Sequence, residues 1–335
     1  MSSETTSPQV GQRTMKAAVR TQYGPPELLR VKEVEIPVPK DDEVLVRVHA
    51  ATVNRTDCGI LWARPWIIRF FTGLRKPRLA STGTDFAGVV EAVGKKVTNF
   101  SVGNRVWGFA DNGLGSHAQY ITIQAEGNIL TIPEGITFEQ AAASPEGAHY
   151  AYNFINKIRV KSGDDVLVNG ASGAIGSACV QLLRHFGANV TAVCNTPNLD
   201  LVRSLGADRV IDYLREDFTK ENRQYDFVMD AVGKSTFGKC KPILRPGGIY
   251  QSSELGPGGQ NIYLPLITKL RGGKRVIFPI PSDVKASLVL IRKLLETGEF
   301  RPVIDRTYPL EEIAEAYRYV DSGKKTGNVV LVMGD

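Results

Sequence analysis

Residues 165–195 read DVLVNGASGAIGSACVQLLRHFGANVTAVCN, and this stretch decides the fold. An apolar run, Val166-Leu167-Val168, enters a turn of small residues, Gly170-Ala171-Ser172-Gly173-Ala174-Ile175-Gly176. A helical pattern follows from Ile175 to about Phe186, stops at Gly187 and gives way to an apolar run over 190–193. Strand, glycine turn, helix and strand thus fit the roughly thirty residues of a βαβ unit. A small residue at Gly170 or Ala171 permits the tight turn. Bare backbone at Gly173 lets a pyrophosphate approach, and Gly176 lets the helix pack closely on its strand. The helix N-terminus then aims N–H groups and a partial positive charge at the phosphates. The expectation is a dinucleotide site on Gly170, Ala171, Ser172, Gly173, Ala174, Ile175 and Gly176.

The end of the second strand selects the dinucleotide. An NAD site carries Asp or Glu about 20 residues beyond the glycines, where it holds the ribose hydroxyls. Here the strand ends Val193-Cys194-Asn195-Thr196, with no carboxylate until Asp200. Asn195 and Thr196 can donate to a 2′-phosphate and no neighbouring charge in that stretch repels it, although the nearest arginine, Arg203, lies a turn or more further on. These residues favour NADPH over NADH.

The whole chain sets the bounds. Its 335 residues suggest two domains, and 42% hydrophobic content suffices for a substantial core. The net charge of +6 is mild for this length, and no Lys/Arg run of the kind that binds nucleic acid is present. Cys58, Cys179, Cys194 and Cys240 are scattered without a Cys-x-x-Cys pair, which predicts a reduced, cytoplasmic chain. Residues 1–14 are polar and read as a disordered leader, not a signal peptide. No segment reaches the ~20 apolar residues of a membrane-spanning helix.

From Met15 the pattern is β-rich, with strands expected over 15–20, 29–36, 43–53, 87–93, 105–109 and 118–123. Short alternating strands between Gly, Pro and Asp turns suggest a partly open barrel over 15–137. A helical pattern opens near Phe138, and 138–281 reads as the doubly wound α/β domain. Its further buried parallel strands are expected at 210–213, 225–232, 248–251 and 275–278. Ser282 is placed to cap a helix over 284–295, and a helix over 311–320 and a strand over 328–332 follow. The tail 282–335 is expected to return to the first domain, leaving a cleft between the two for the chemistry.

An ordered set of motifs runs along nearly the whole chain. It comprises Ala51-Thr52-Val53-Asn54-Arg55-Thr56-Asp57, Gly83-Thr84-Asp85-Phe86-Ala87-Gly88, Gly103-Asn104-Arg105-Val106, the glycine turn, Leu205-Gly206-Ala207-Asp208, Ile211-Asp212-Tyr213 and Arg245-Pro246-Gly247-Gly248. In these the sequence resembles the medium-chain dehydrogenase/reductase superfamily, and within it the zinc-independent quinone oxidoreductase-like branch. The resemblance implies a GroES-like β-rich catalytic domain joined to a Rossmann domain, a homodimer, and reduction of quinones or activated alkenes. The alcohol dehydrogenase relatives have a Cys ligand where Asn54 stands and Gly-His-Glu where Gly83-Thr84-Asp85 stands. Their third ligand falls where this chain reads Ser144-Pro145-Glu146-Gly147, and the four-cysteine structural lobe is missing from the sequence. A catalytic zinc needs about three Cys, His or Glu ligands, so no metal site is expected.

Hydride delivery to an electron-poor carbon or a quinone then needs orientation and a group to meet the developing oxyanion. The resemblance puts the Asn54 amide beside the nicotinamide ribose and substrate oxygen; the alternative is a turn residue. Thr56 matches the proton-relay hydroxyl of the alcohol dehydrogenases or caps the next turn, and Arg55 is either a phosphate contact or a solvated side chain. Glu146 and His149 are three apart and share a helical face, so His149 would donate to the oxyanion under the influence of Glu146. The alternative is a carboxylate at a helix N-terminus and a packing histidine. On the cofactor side the resemblance implies Tyr213 and Asn198 at the adenosine end. It also implies Val232 and Gly233 near the nicotinamide ribose, Ser252 and Ser253 at a strand end, and Asn328 closing from the tail.

Residues 59–81 mix Trp62, Trp66, Ile67, Ile68, Phe70 and Phe71 with Arg64, Arg69, Arg75, Lys76 and Arg78; residues 256–281 are similar in kind. A lid for a lipophilic substrate, or packing on the barrel or a dimer partner, is more economical here than a membrane contact. The sequence therefore reads as an NADPH-dependent, zinc-independent reductase of quinones or α,β-unsaturated carbonyls. The rivals are a metal-free alcohol/aldehyde dehydrogenase and a non-catalytic NADPH-binding protein.

Overall fold

The computed structural model describes residues 13–111 and 113–334; most of the expected leader lies outside them. The chain begins with an antiparallel pair, β1 (Thr14–Val19) and β2 (Arg30–Glu35). A seven-stranded sheet follows from β3 (Glu43–Val53), β4 (Asp85–Val93), β5 (Arg105–Phe109), β6 (Tyr120–Gln124) and β7 (Ile129–Thr131). A second, six-stranded sheet is built from β8 (Asp165–Asn169), β9 (Asn189–Cys194), β10 (Arg209–Asp212), β11 (Tyr225–Asp230), β12 (Leu244–Ser252) and β13 (Arg275–Ile277). The chain then returns to the first sheet with β14 (Ile304–Pro309) and β15 (Asn328–Val332), β15 pairing antiparallel with β3.

The second sheet is parallel throughout, in the order β10-β9-β8-β11-β12-β13. That is the Rossmann order, with its switch point between β8 and β11. Its strands are apolar without alternation because helices cover both faces, and Val166, Leu167, Val168, Val228 and Met229 are fully buried. In the first sheet β3 and β4 bury apolar side chains around Phe86 and Tyr317.

The helices are α1 (Arg55–Trp62), α2 (Ile68–Thr72), α3 (Phe138–Ala142), α4 (Pro145–Ile158), α5 (Ala174–His185), α6 (Leu199–Ser204), α7 (Phe237–Cys240), α8 (Gln260–Arg271), α9 (Val284–Thr297) and α10 (Ile313–Asp321). Leu288, Ile291, Leu294 and Leu295 of α9 join one core with Val166 and Ala178 of the Rossmann side and Ala87 and Trp107 of the first sheet. Asp283, not Ser282, caps α9: its carboxylate accepts the Ala286 N–H at 3.0 Å, while Ser282 Oγ accepts Lys157 Nζ at 2.8 Å. A cap must reach the amide three residues on, and Asp283 is the residue at that spacing.

One crossing brings the halves together. The Gly327 N–H donates to Ser172 O at 2.7 Å and Gly327 bridges Gly173, so the strand entering β15 lies against the glycine turn.

Candidate active site

The glycine turn has the backbone geometry its sequence suggests. Gly170 sits at φ +80°, and a Cβ there would lie 2.3 Å from Val232. A Cβ on Gly176 would lie 2.1 Å from Gly170 O, so α5 presses directly on the turn. At Gly173 the nearest atom would be Gly170 O at 3.6 Å: this position is bare toward open space, as approach of a pyrophosphate requires. The first α5 amide to bond inward is Ser177, to Gly173 O at 2.8 Å; the amides ahead of it, Ala174 to Gly176, head the helix. Gly173, Ala174 and Ile175 line a cleft of about 500 Å³ between the two sheets. These residues fit a dinucleotide pyrophosphate.

The adenosine end differs from the sequence expectation in one respect. Asp212, at the end of β10, accepts Thr196 Oγ1 at 2.5 Å, and this bond holds its carboxyl below the usual range. A charge therefore does stand near the end of β9, and the Thr196 hydroxyl is committed to it. Parallel pairing sets Asp212 opposite Cys194, a juxtaposition invisible in a single stretch of sequence. The Arg215 guanidinium lies 3.5 Å from the same carboxylate. Asn198 Nδ2 donates to Asn195 Oδ1 at 2.6 Å and to Thr326 Oγ1 at 3.2 Å, tying this end to the tail, and Tyr213 stands half-exposed beside it.

At the other end, Asp230 gathers the strand termini. It accepts Asn169 Nδ2 at 3.0 Å, the Ser235 N–H at 2.8 Å and the Tyr250 hydroxyl at 3.1 Å. Val232 and Ser253 face the cleft, and Gly233, at φ +63°, makes the turn between Val232 and Lys234. Ser252 is buried and its Oγ accepts the Glu254 N–H at 3.2 Å; Asn328 is buried and donates to Val303 O at 3.0 Å. Neither side chain is among those lining the cleft.

The facing wall is built of buried acids. Glu146 opens α4, where Gly147 fits against Ala174 because a Cβ would come within 2.8 Å of its carbonyl. That contact sets Glu146 beside the head of α5. Thr56 Oγ1 donates to Glu146 Oε1 at 2.7 Å, and both line the cleft. Burial pushes the Glu146 carboxyl up to about 7, against the pull of the Thr56 bond and of Lys325. Lys325, half-buried on the cleft wall, is pushed down by burial and drawn up by Glu146. Tyr150, one turn along α4, also faces the cleft and donates to Asp111 Oδ1 at 3.2 Å. Sequence reasoning assigned no role to Tyr150, Asp111 or Lys325, because they come from three segments and share no motif.

Asn54 and His149 take up the alternatives left open for them, a turn residue and a packing histidine. Asn54 caps α1: its Oδ1 accepts the Asp57 N–H at 2.9 Å while Asp57 Oδ2 accepts the Asn54 N–H at 3.0 Å. Its Nδ2 donates to Thr84 Oγ1 at 2.8 Å and Asp85 Oδ2 at 3.0 Å, so the amide is spent behind the cleft wall. His149 is fully buried, with Nδ1 2.7 Å from Ser287 Oγ of α9 and Nε2 3.8 Å from Asp111 Oδ2. Burial lowers its pKa to about 4, and it does not share a partner with Glu146. The three-residue spacing put both on α4, but α9 packs over one and α1 over the other.

These residues do not suit a zinc ion. The Asn54 amide is spent on Thr84 and Asp85, no thiol or imidazole joins them, and among the described residues no group of three His, Cys, Asp or Glu side chains is gathered to hold a metal.

A Rossmann sheet, a β-rich partner sheet and a cleft with a dinucleotide turn on one wall and a protonatable carboxyl on the other define a two-domain oxidoreductase. Residues 40–134 match the alcohol dehydrogenase GroES-like domain and residues 205–331 the zinc-binding dehydrogenase domain. The chain is 31% identical over 331 residues to 2-methylene-furan-3-one reductase of Solanum lycopersicum, covering 95% of this chain and 79% of that one. It is 30% identical to the quinone oxidoreductase of Homo sapiens, covering 96% and 99%. The solved quinone oxidoreductase of Coxiella burnetii superposes with a TM-score of 0.84 at 27% identity, over 96% of this chain and 99% of that one. The chain belongs to the medium-chain dehydrogenase/reductase superfamily, in its quinone oxidoreductase-like branch.

Proposed function

We propose that this chain is an NADPH-dependent, zinc-independent reductase of quinones or α,β-unsaturated carbonyls. One observation carries the reading: the dinucleotide turn and the Thr56–Glu146 pair line the same cleft. A dinucleotide bound on Gly173, Ala174 and Ile175 would supply a hydride to one end of a conjugated acceptor. The chain's own residues then serve the other end. Glu146, half in its acid form near neutral pH, holds the proton. When protonated it donates to Thr56 Oγ1, reversing the bond it accepts as a carboxylate, and the Thr56 O–H turns to the substrate and passes its own proton on. The Lys325 ammonium offers hydrogen bonds to the oxygen where charge develops, and Tyr150, its hydroxyl donated to Asp111, walls the cleft beside it. Asn54, Asp57 and Asp85 hold α1, and so Thr56, in place. Asn195, Asn198 and Tyr213 form the adenosine pocket, with Arg215 balancing Asp212.

The edge strand β13 and the exposed apolar residues Ile262, Leu266 and Leu270 of α8 beside it suit a homodimer. Four free, buried cysteines suit a reducing compartment such as the cytoplasm.

The test is oxidation of NADPH and NADH by chelator-treated protein against quinones, enones, enals and simple aldehydes. We expect turnover with NADPH and conjugated acceptors, unaffected by the chelator. Turnover restricted to simple aldehydes, or abolished by the chelator, overturns the reading.

A further inference from the structure

Residues 58–84, between Asp57 and Asp85, contain no acidic side chain, yet carry Arg64, Arg69, Arg75, Lys76 and Arg78. Those five charges come close to the whole chain's excess of +6. Within the same segment Trp66, Ile67, Phe70, Phe71, Leu74 and Leu79 are each more than half exposed, and α2 buries none of its residues. Packing on the barrel therefore does not account for these side chains. Trp66 and Phe70 meet edge to face at 5.2 Å, and Arg64 lies over the Trp62 ring at 4.5 Å, so aromatic and cationic groups form one mixed surface. Arg64, Pro65 and Ile68 of this segment also line the cleft.

We propose that residues 64–79 dock on an anionic lipid bilayer and seat the mouth of the cleft at the membrane surface. Single exposed apolar residues need no explanation, but a contiguous cluster does. Aromatic side chains with interleaved arginines suit the headgroup boundary, where rings enter the interface and guanidinium groups meet lipid phosphates. Charge decides against a second copy of the chain as the occupant. A two-fold contact places the same patch on both partners, which would bring the exposed Arg64, Arg75, Lys76 and Arg78 against the same four cations with no acid from this segment between them. An anionic surface instead attracts every one of them. The docking stands on this geometry alone; entry of a lipophilic acceptor from the bilayer rests in addition on the reductase reading.

The full chain is to be sedimented with vesicles of phosphatidylcholine alone and of phosphatidylcholine and phosphatidylglycerol in equal parts. We expect binding to the anionic vesicles that weakens with salt, and a blue shift of tryptophan emission that Trp66→Phe removes. Arg75→Gln/Lys76→Gln/Arg78→Gln is expected to lower vesicle affinity about tenfold or more. Trp66→Ser/Phe70→Ser/Phe71→Ser should do the same, with turnover of a water-soluble acceptor unchanged in both variants. Absence of binding to anionic vesicles at low salt overturns the proposal. So does equal binding by the aromatic variant, or a wild-type dimer without vesicle affinity that this variant makes monomeric; the last result would assign the face to a second copy. Vesicle binding by a chain that reduces none of the acceptors would leave the docking standing and remove the reductase reading.

Discussion

The two walls of the cleft recognise charge by different means. The Rossmann wall offers backbone: bare Gly173, the head of α5 and a turn held against Gly327. The facing wall offers titratable side chains, with Glu146 hydrogen-bonded to Thr56 and Asp57 and Asp85 buried behind them. Peptide dipoles do not titrate, so the first wall holds its ligand at any pH that keeps the fold. Burial makes the second wall pH-sensitive, pushing Asp57, Asp85 and Glu146 all upward. Capture of the pyrophosphate should thus be indifferent to pH where turnover is not.

The sharpest test of the backbone wall sets two of its glycines against each other. Gly176→Ala places a Cβ 2.1 Å from a carbonyl oxygen of the turn, so the helix must shift. A loss of about 3 kcal/mol in denaturant unfolding is expected. Gly173→Ala meets nothing closer than 3.6 Å. It should leave stability within about 1 kcal/mol and lower dinucleotide affinity about tenfold, measured by quenching of protein fluorescence. Equal affinity in wild type and Gly173→Ala would place the pyrophosphate elsewhere.

The acidic wall is tested by Glu146→Gln, which keeps an acceptor for Thr56 but cannot ionise. The folded pKa, near 7, lies above the ordinary 4.5, so folding takes up a proton between those values. Wild-type stability therefore falls as pH rises through that window, and above it the fold carries a desolvated carboxylate. The variant should match wild type at pH 4 and exceed it at pH 8 by up to about 3 kcal/mol. Turnover should drop about a hundredfold, and the decline of kcat/KM above neutral pH should vanish. A variant that keeps this decline would assign the proton to another group.

The same contrast explains how much the sequence reveals. The glycine turn and the strand–helix–strand succession around it are imposed by local backbone demands, and residues 165–195 state them in one stretch. β3 and β5 coincide with the expected 43–53 and 105–109. The acidic wall is assembled from residues far apart in the chain, 90 positions in the case of Thr56 and Glu146. Each residue type was visible, but the direction of its side chain depends on which helix packs over it. Asn54 turned inward because capping α1 and satisfying Asp85 use all its polar atoms. β7, only three residues long, carries too little pattern to be read.

His149 marks the boundary between these cases. It lies on α4 near the acidic wall, yet its ring is sealed under α9 with the Ser287 hydroxyl as partner. Its pKa of about 4 leaves it neutral at the pH where Glu146 titrates. His149→Ala should cost about 1–3 kcal/mol of stability by opening a buried space and removing the bond to Ser287, while turnover stays within about threefold. A hundredfold loss of turnover with the fold intact would return His149 to the proton path.

The smallest effect is expected where the backbone wall does carry a charge. Asp212 stands at the adenosine end, where a 2′-phosphate would distinguish NADPH from NADH. Its carboxylate is balanced by the Thr196 hydroxyl and Arg215, so its repulsion of a phosphate is largely cancelled. Asp212→Asn removes the charge and leaves an acceptor for Thr196, freeing Arg215 to face the phosphate. Affinity for NADPH should rise about threefold and that for NADH stay constant, in titrations of the two cofactors side by side. The opposite outcome, weaker NADH binding and no gain for NADPH, would mean that Asp212 holds a ribose hydroxyl. The chain would then use the acid that NAD sites carry at the end of the second strand, supplied by β10 instead.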